Sequence, residues 1–237
     1  TEISHGTICT MLSLPPWGAT FLEKISLLLF PESCLGCGIK DTLLCTRCLA
    51  HTPKAEDPPH KDLYSLFPYQ DTRIKAAIQQ LKYRNGKRIA AAFGPVLADF
   101  LLELLAEEAL FHPAAQREGW LLVPVPLSQE RLRTRGYNQA VLLGQVLLDQ
   151  GTVKGLLMDE SLLSKRQNTI SQVSKKDRKG RMANINGTFV VPKPQMVYKR
   201  HIVVLDDVIT TGATMKEALR VLKSAGAKRV IGLSVAH

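Results

Sequence analysis

A chain of 237 residues with 45% hydrophobic and 22% charged content can bury a sizeable core, which excludes a scaffold that needs disulfides to fold. The length accommodates one large α/β domain plus a small appendage. A formal charge of +10 favours phosphate-rich partners, whether nucleotides, nucleic acid or an anionic membrane surface.

Residues 1–10 carry no periodic pattern, and Met11 is a candidate natural start. The apolar stretch 21–30 (FLEKISLLLF) is interrupted by Glu23 and Lys24. It falls short of the roughly 20 apolar residues of a membrane span, and it lacks the features of a signal peptide. We read it as a helix packed on its own protein, and the chain as cytoplasmic. Of five cysteines, Cys9 stands apart and four fall in Cys34-Leu-Gly-Cys37 and Cys45-Thr-Arg-Cys48. Two such knuckles can place four thiolates around a tetrahedral metal, with zinc the default. Redox thiols or a lost metal are the alternatives. With every ligand supplied by protein, such a zinc is structural rather than catalytic. Lys40 and Arg47 are the only basic residues near it that suggest nucleic acid. Residues 1–50 are therefore expected to form a helix and zinc-finger unit. Residues 51–62 (HTPKAEDPPHKD) read as a linker, and 63–237 as the main domain.

From residue 63 the pattern alternates between strand and helix. Residues 74–83, 89–111, 139–150 and 213–225 are expected to be helices, the last with Met215, Ala218, Leu219 and Leu222 on one stripe and Gly226 as its stop. Residues 120–126 (WLLVPVP), 187–191, 201–205 (HIVVL) and 228–235 are expected to be strands. The unbroken β-branched run of 201–205 marks a strand buried on both faces. The order implies a parallel sheet flanked by helices.

The sharpest signal is 201–214, HIVVLDDVITTGAT: a buried strand expected to end in Asp206 and Asp207, then a threonine–glycine loop, then a helix. In open α/β sheets ligands sit beyond the carboxyl ends of the strands, where a helix N-terminus offers free N–H groups. Thr210, Thr211, Gly212, Ala213 and Thr214 suit a phosphomonoester. The acid pair suits ribose hydroxyls or Mg²⁺. Together they point to a sugar phosphate. The bland alternative is a helix capped by Asp or Thr.

Three basic stretches surround this loop in sequence terms. Residues 80–88 hold Lys82 and Arg84. Residues 122–144 hold Arg131, Arg133 and Arg135, expected in a loop after a strand, where arginine's fork suits pyrophosphate. Residues 164–181 hold Arg166, Lys175 and Arg178 and read as a mobile basic loop.

VVLDDVITTGAT resembles the phosphoribosyl pyrophosphate (PRPP) signature of type I phosphoribosyltransferases. With LKYR at 81–84, VPVPLS…RxRGYNQ at 123–139, RQNTxxQ…R…N…F at 166–189 and the cysteine head, the chain is similar to the ComF/GntX family from about residue 28 onward. The resemblance implies a type I phosphoribosyltransferase-like α/β fold that binds PRPP with Mg²⁺. It implies catalytic Asp206 and Asp207, a 5′-phosphate cradle at Thr210, Thr211, Gly212, Ala213 and Thr214, and pyrophosphate or DNA-phosphate contacts from Lys82, Arg84, Arg131, Arg135, Arg166, Lys175 and Arg178. It also implies a cytoplasmic role in DNA uptake during natural competence, alongside competence-machinery proteins, with no defined acceptor. A PRPP sensor without turnover, or a single-stranded DNA module using Tyr83 and Tyr137 as stacking platforms, is the competing reading. Relatives often run a few residues past 235–237, so a short final strand is expected.

Overall fold

The central strand of the computed structural model is the one whose sequence is most continuously apolar. The structure describes residues 33–55, 60–83, 86–166 and 187–237. Strand β6 (His201–Val208) lies between β7 (Arg229–Ala236) and β2 (Trp120–Pro124), and the five-stranded sheet has the order β1-β7-β6-β2-β3. Here β1 is Leu63–Phe67 and β3 is Leu157–Met158, and every neighbouring pair is parallel.

Alternation along β6 divides two cores. Val203 and Leu205 face one side with Leu122 and Ile231. Ile202 and Val204 face the other with Leu121, Val123 and Val230. Each fully buried aliphatic contributes about 1.5–3 kcal/mol, which is why the run Ile202 to Leu205, buried on both faces, carries no polar residue. The exception in β7, Ser234, bonds Ser65 of β1 hydroxyl to hydroxyl at 2.7 Å.

Three helices cover the first face: α2 (Thr72–Tyr83), α3 (Gly86–Phe111) and α6 (Gln139–Asp149). The expected stripe of α2 is the buried one, with Ile74, Ala77, Ile78 and Leu81 inside. Helix α3 is long and apolar enough to cross a membrane by length and composition, but half of that stretch is buried inside the protein. The opposite face is covered by α8 (Ala213–Ser224), again through the expected Met215, Ala218, Leu219 and Leu222. Gly226, at φ +91°, follows its end.

The small unit around helix α1 (Thr46–Ala50) shares the first core: Leu43, Leu44 and Leu49 join Leu66, Phe67 and Ile74. At the start of β1, Asp62 is buried and held at 2.6 Å by Arg229 and at 2.8 Å by Lys223. Those two cations outweigh burial and keep its carboxyl below the usual range.

Four expectations change. Strand β6 does not stop at the two acids but continues through them to Val208, because Asp206 and Val208 keep register with Ser234 and Ala236. The short strand near 187–191 is β5 (Phe189–Val190), which leaves the main sheet and pairs antiparallel with β4 (Ser164–Lys165). Arg131 to Arg135 lie in a helix, α5 (Gln129–Arg135), capped by Ser128 and stopped by Gly136 in the left-handed region. The final strand is as long as β6, eight residues each. Two further short helices complete the described residues, α4 (Pro113–Glu118) and α7 (Pro194–Val197).

Candidate functional site

A crevice of about 380 Å³ opens at the carboxyl end of β6, where the loop into α8 meets α2, α5, α6 and β4. This is where an open parallel sheet places its ligands. Asp206, Asp207, Thr210, Gly212, Ala213 and Thr214 all line it. Thr211 does not; it is exposed, and its Oγ1 accepts the Ala213 N–H at 3.4 Å. Gly212 has φ +74°, and a side-chain carbon there would come within 3.3 Å of Leu63 Cδ1. Only glycine adopts this conformation without strain. The first-turn N–H groups of α8 that follow have no intrahelical acceptor and suit an anion.

The two acids differ. Asp207 is buried, and its Oδ2 lies 3.2 Å from Lys82 Nζ at the end of α2. Asp206 accepts the Asp207 N–H at 2.8 Å on Oδ1. Burial first, and then the neighbouring Asp207 charge, push its carboxyl up to about 8, against the pull of Lys82 and Lys165. Native Asp206 therefore keeps a proton that the unfolded chain releases near pH 4, so stability falls as pH rises from about 4 to about 8. Denaturant midpoints measured across that range on the ligand-free protein should show this slope, and Asp206→Asn should flatten it.

Cations line the facing wall. Arg131, Arg135 and Lys165 border the crevice. Burial first, and then the Arg131 charge, hold the Lys165 ammonium below its ordinary value, with Asp206 opposing. Arg135 donates to Gln139 Oε1 at 2.9 Å and stacks over the Tyr83 ring at 5.2 Å. Tyr83 is exposed, whereas the Tyr137 hydroxyl is committed to the Leu81 carbonyl at 2.7 Å. Arg166 lies outside the crevice and lines a neighbouring open groove instead. Arg84, Lys175 and Arg178 lie outside the described residues, as does the apolar stretch 21–30.

Sequence reasoning did not single out Lys165, Gln139 or Tyr69, all of which line the crevice. Lys165 heads the basic stretch 164–181, where many cations hid the one that points inward. Gln139 closes the RGYNQ motif but reads locally as a helix-surface residue.

At the far end of α2, the Sγ atoms of Cys34, Cys37, Cys45 and Cys48 all lie within 4.8 Å of one another. Cys37 and Cys45 Sγ are 3.7 Å apart, and none of the four is in a disulfide. Metal–sulfur bonds of about 2.3 Å in a tetrahedron set sulfur–sulfur edges of about 3.8 Å, so the cluster can hold a metal ion and is compatible with zinc. Cys34 Sγ accepts the N–H groups of Gly36 and Cys45, each at 3.4 Å. Burial resists its ionisation, but backbone N–H groups of Cys37, Cys45 and Gly36 outweigh it and bring the thiol down to about 6. Cys48 is pushed up to about 12, chiefly by hydrogen bonding to Cys45. A side-chain carbon on Gly36 would meet Cys48 Sγ at 2.6 Å, so the knuckle requires glycine there.

A family model described as "Phosphoribosyl transferase domain" matches residues 155–236. The chain is 31% identical over 229 residues to DNA utilization protein YhgH of Salmonella typhi, covering 94% of this chain and 92% of that one. It is 31% identical over 162 residues to competence protein ComFC of Bacillus subtilis, covering 68% of this chain and 58% of that one. Among solved structures it is similar to the glutamine PRPP amidotransferase from B. subtilis, at 15% identity and a TM-score of 0.36 over 66% of this chain and 30% of that chain.

Proposed function

This chain belongs to the ComF family of the phosphoribosyltransferase superfamily, and from that premise we propose that its crevice binds PRPP with Mg²⁺ in support of DNA uptake. The observation that carries the reading is the shared crevice of two carboxylates, a glycine–threonine turn at a helix start, and a facing wall of cations. The turn at Thr210 to Thr214 takes the 5′-phosphate on N–H and hydroxyl donors. Asp206 and Asp207 accept hydrogen bonds from the ribose hydroxyls, and Lys82 offsets the Asp207 charge. Arg131, Arg135 and Lys165 take the pyrophosphate. Asp206 and Asp207 would also hold Mg²⁺, which would supply positive charge to offset the diphosphate. The reaction that suits this arrangement is displacement of pyrophosphate from the sugar's C1 by a nucleophilic acceptor: the C1–O bond breaks, a bond from C1 to the acceptor forms, and the acceptor gives up its proton. The cationic wall receives the departing negative charge, and catalysis is mainly positional and electrostatic.

The four cysteines hold structural zinc and order the segment from Cys34 to Cys48 against the body that begins at Leu63. Reduced thiols and a PRPP ligand suit a cytoplasmic site, and relatives named as a DNA utilization protein and a competence protein support a role in DNA uptake. Isothermal titration with Mg²⁺-PRPP should give saturable binding of one ligand per chain. Net charge +10 and the exposed Tyr83 under Arg135 favour a second reading, a single-stranded DNA module. Silence with PRPP, together with oligonucleotide binding that weakens steeply with salt, would replace the first reading by the second.

A further inference from the structure

We propose that Gln139 is a ligand-binding residue that reads the second anionic group of the ligand, an inference that rests on the sugar-phosphate reading above. Gln139 is the first residue of α6, is 2% exposed and lines the crevice. Its Oε1 accepts a hydrogen bond from Arg135 Nη1 at 2.9 Å. A guanidinium only donates, so the atom facing Arg135 must be the carbonyl oxygen, and the amide's orientation is settled by chemistry. The Nε2 donor faces elsewhere, is buried, and finds no acceptor among the described residues. Buried donors almost always have partners, because leaving one unmade is costly. A partner supplied by the ligand resolves this one.

The surroundings identify the partner's class. Arg131, Arg135 and Lys165 border the same crevice, and Arg131 and Lys165 stand close enough to repel. A donor set among crowded cations fits an oxygen of an anionic group. That group is not the one held at Thr210 to Thr214, because α6 covers one face of the sheet and α8 the other. The start of α6 is also fixed in place, since Asn138 Nδ2 donates to the Val125 carbonyl at 3.0 Å. The ligand therefore carries two separated anionic groups, a phosphomonoester on the α8 side and a diphosphate on the α6 side, and Gln139 Nε2 donates to the second.

Gln139→Glu tests this. The carboxylate still accepts from Arg135, whose charge offsets the cost of burying it, so the variant should fold, with its unfolding midpoint measured beside that of the unchanged chain. A carboxylate has no N–H to offer a ligand. Affinity for PRPP in Mg²⁺ should fall about tenfold or more, while affinity for ribose 5-phosphate, which lacks the diphosphate, should stay unchanged. PRPP binding equal to that of the unchanged chain would overturn the assignment and make Gln139 a brace for Arg135. Equal losses for both compounds would also overturn it. If the unchanged chain binds neither compound, the sugar-phosphate reading fails and takes the assignment with it.

Discussion

Replacing Asp206 and Asp207 together by asparagine should weaken Mg²⁺-PRPP binding by about a hundredfold. Asparagine still accepts but carries no charge, and exchanging a charged acceptor for a neutral one costs about 1–1.5 kcal/mol per hydrogen bond, so two positions cost roughly 2–3 kcal/mol, on the order of a hundredfold. Asparagine preserves side-chain volume, so a loss cannot be assigned to a cavity. The two positions should not contribute equally. Burial and the neighbouring Asp207 charge push the Asp206 carboxyl up, so asparagine there is closer to the form the free protein favours. Asp207 is the acid that faces Lys82, and removing its charge leaves that ammonium without its counter-charge inside the crevice. Asp207→Asn should therefore carry most of the double variant's loss. Titration of the two single variants and the double gives the ranking directly. An undiminished affinity in the double variant would remove the acid pair from the account.

Stripping metal from the cysteine cluster should lower the thermal midpoint of the whole protein by roughly 10 °C or more. Structural zinc binds its sites with apparent free energies of about 10–16 kcal/mol, and most of that is folding free energy. The head cannot lose its order privately. Leu43, Leu44 and Leu49 are buried in one core with Leu66, Phe67 and Ile74, so opening the head uncovers β1 and α2. A loss of roughly 4 kcal/mol in a protein of this size corresponds to about 8–16 °C. Calorimetry with and without a strong chelator, paired with mass spectrometry of the intact protein, checks both parts: one zinc per chain before treatment, and a lowered midpoint after it. A metal-free protein with an unchanged midpoint, or one whose mass shows Cys37 and Cys45 already oxidised, would contradict a structural metal.

Much of this was legible in sequence because the strongest signals are local. The HIVVL run must be buried on both faces, and it is the central strand. Met215, Ala218, Leu219 and Leu222 recur at helical spacing, and all four are buried. The C-x₂-C pairs announced the cluster that the fold assembles. What escaped depends on pairing between distant segments. Strand β6 runs past Leu205 because β7 offers a register partner at Ser234 and Ala236, which no window around Asp206 reveals. Strand β1 is short, with Ser65 at its centre, and is rescued by a hydroxyl 169 positions away. Residues 129–135 look like a basic loop until Ser128 and Gly136 are recognised as the two ends of a helix. Lys165 and Gln139 belong to the site only because β4 and α6 converge on the end of β6.

The most direct test is a crystal structure of the chain with PRPP and Mg²⁺ bound. The account predicts a phosphate seated on the N–H groups and hydroxyls of 210–214, ribose hydroxyls within hydrogen-bonding distance of Asp206 and Asp207, and the diphosphate against Arg131, Arg135 and Lys165. A ligand bound elsewhere, with both carboxylates left facing only Lys82 and their own backbone, would contradict it.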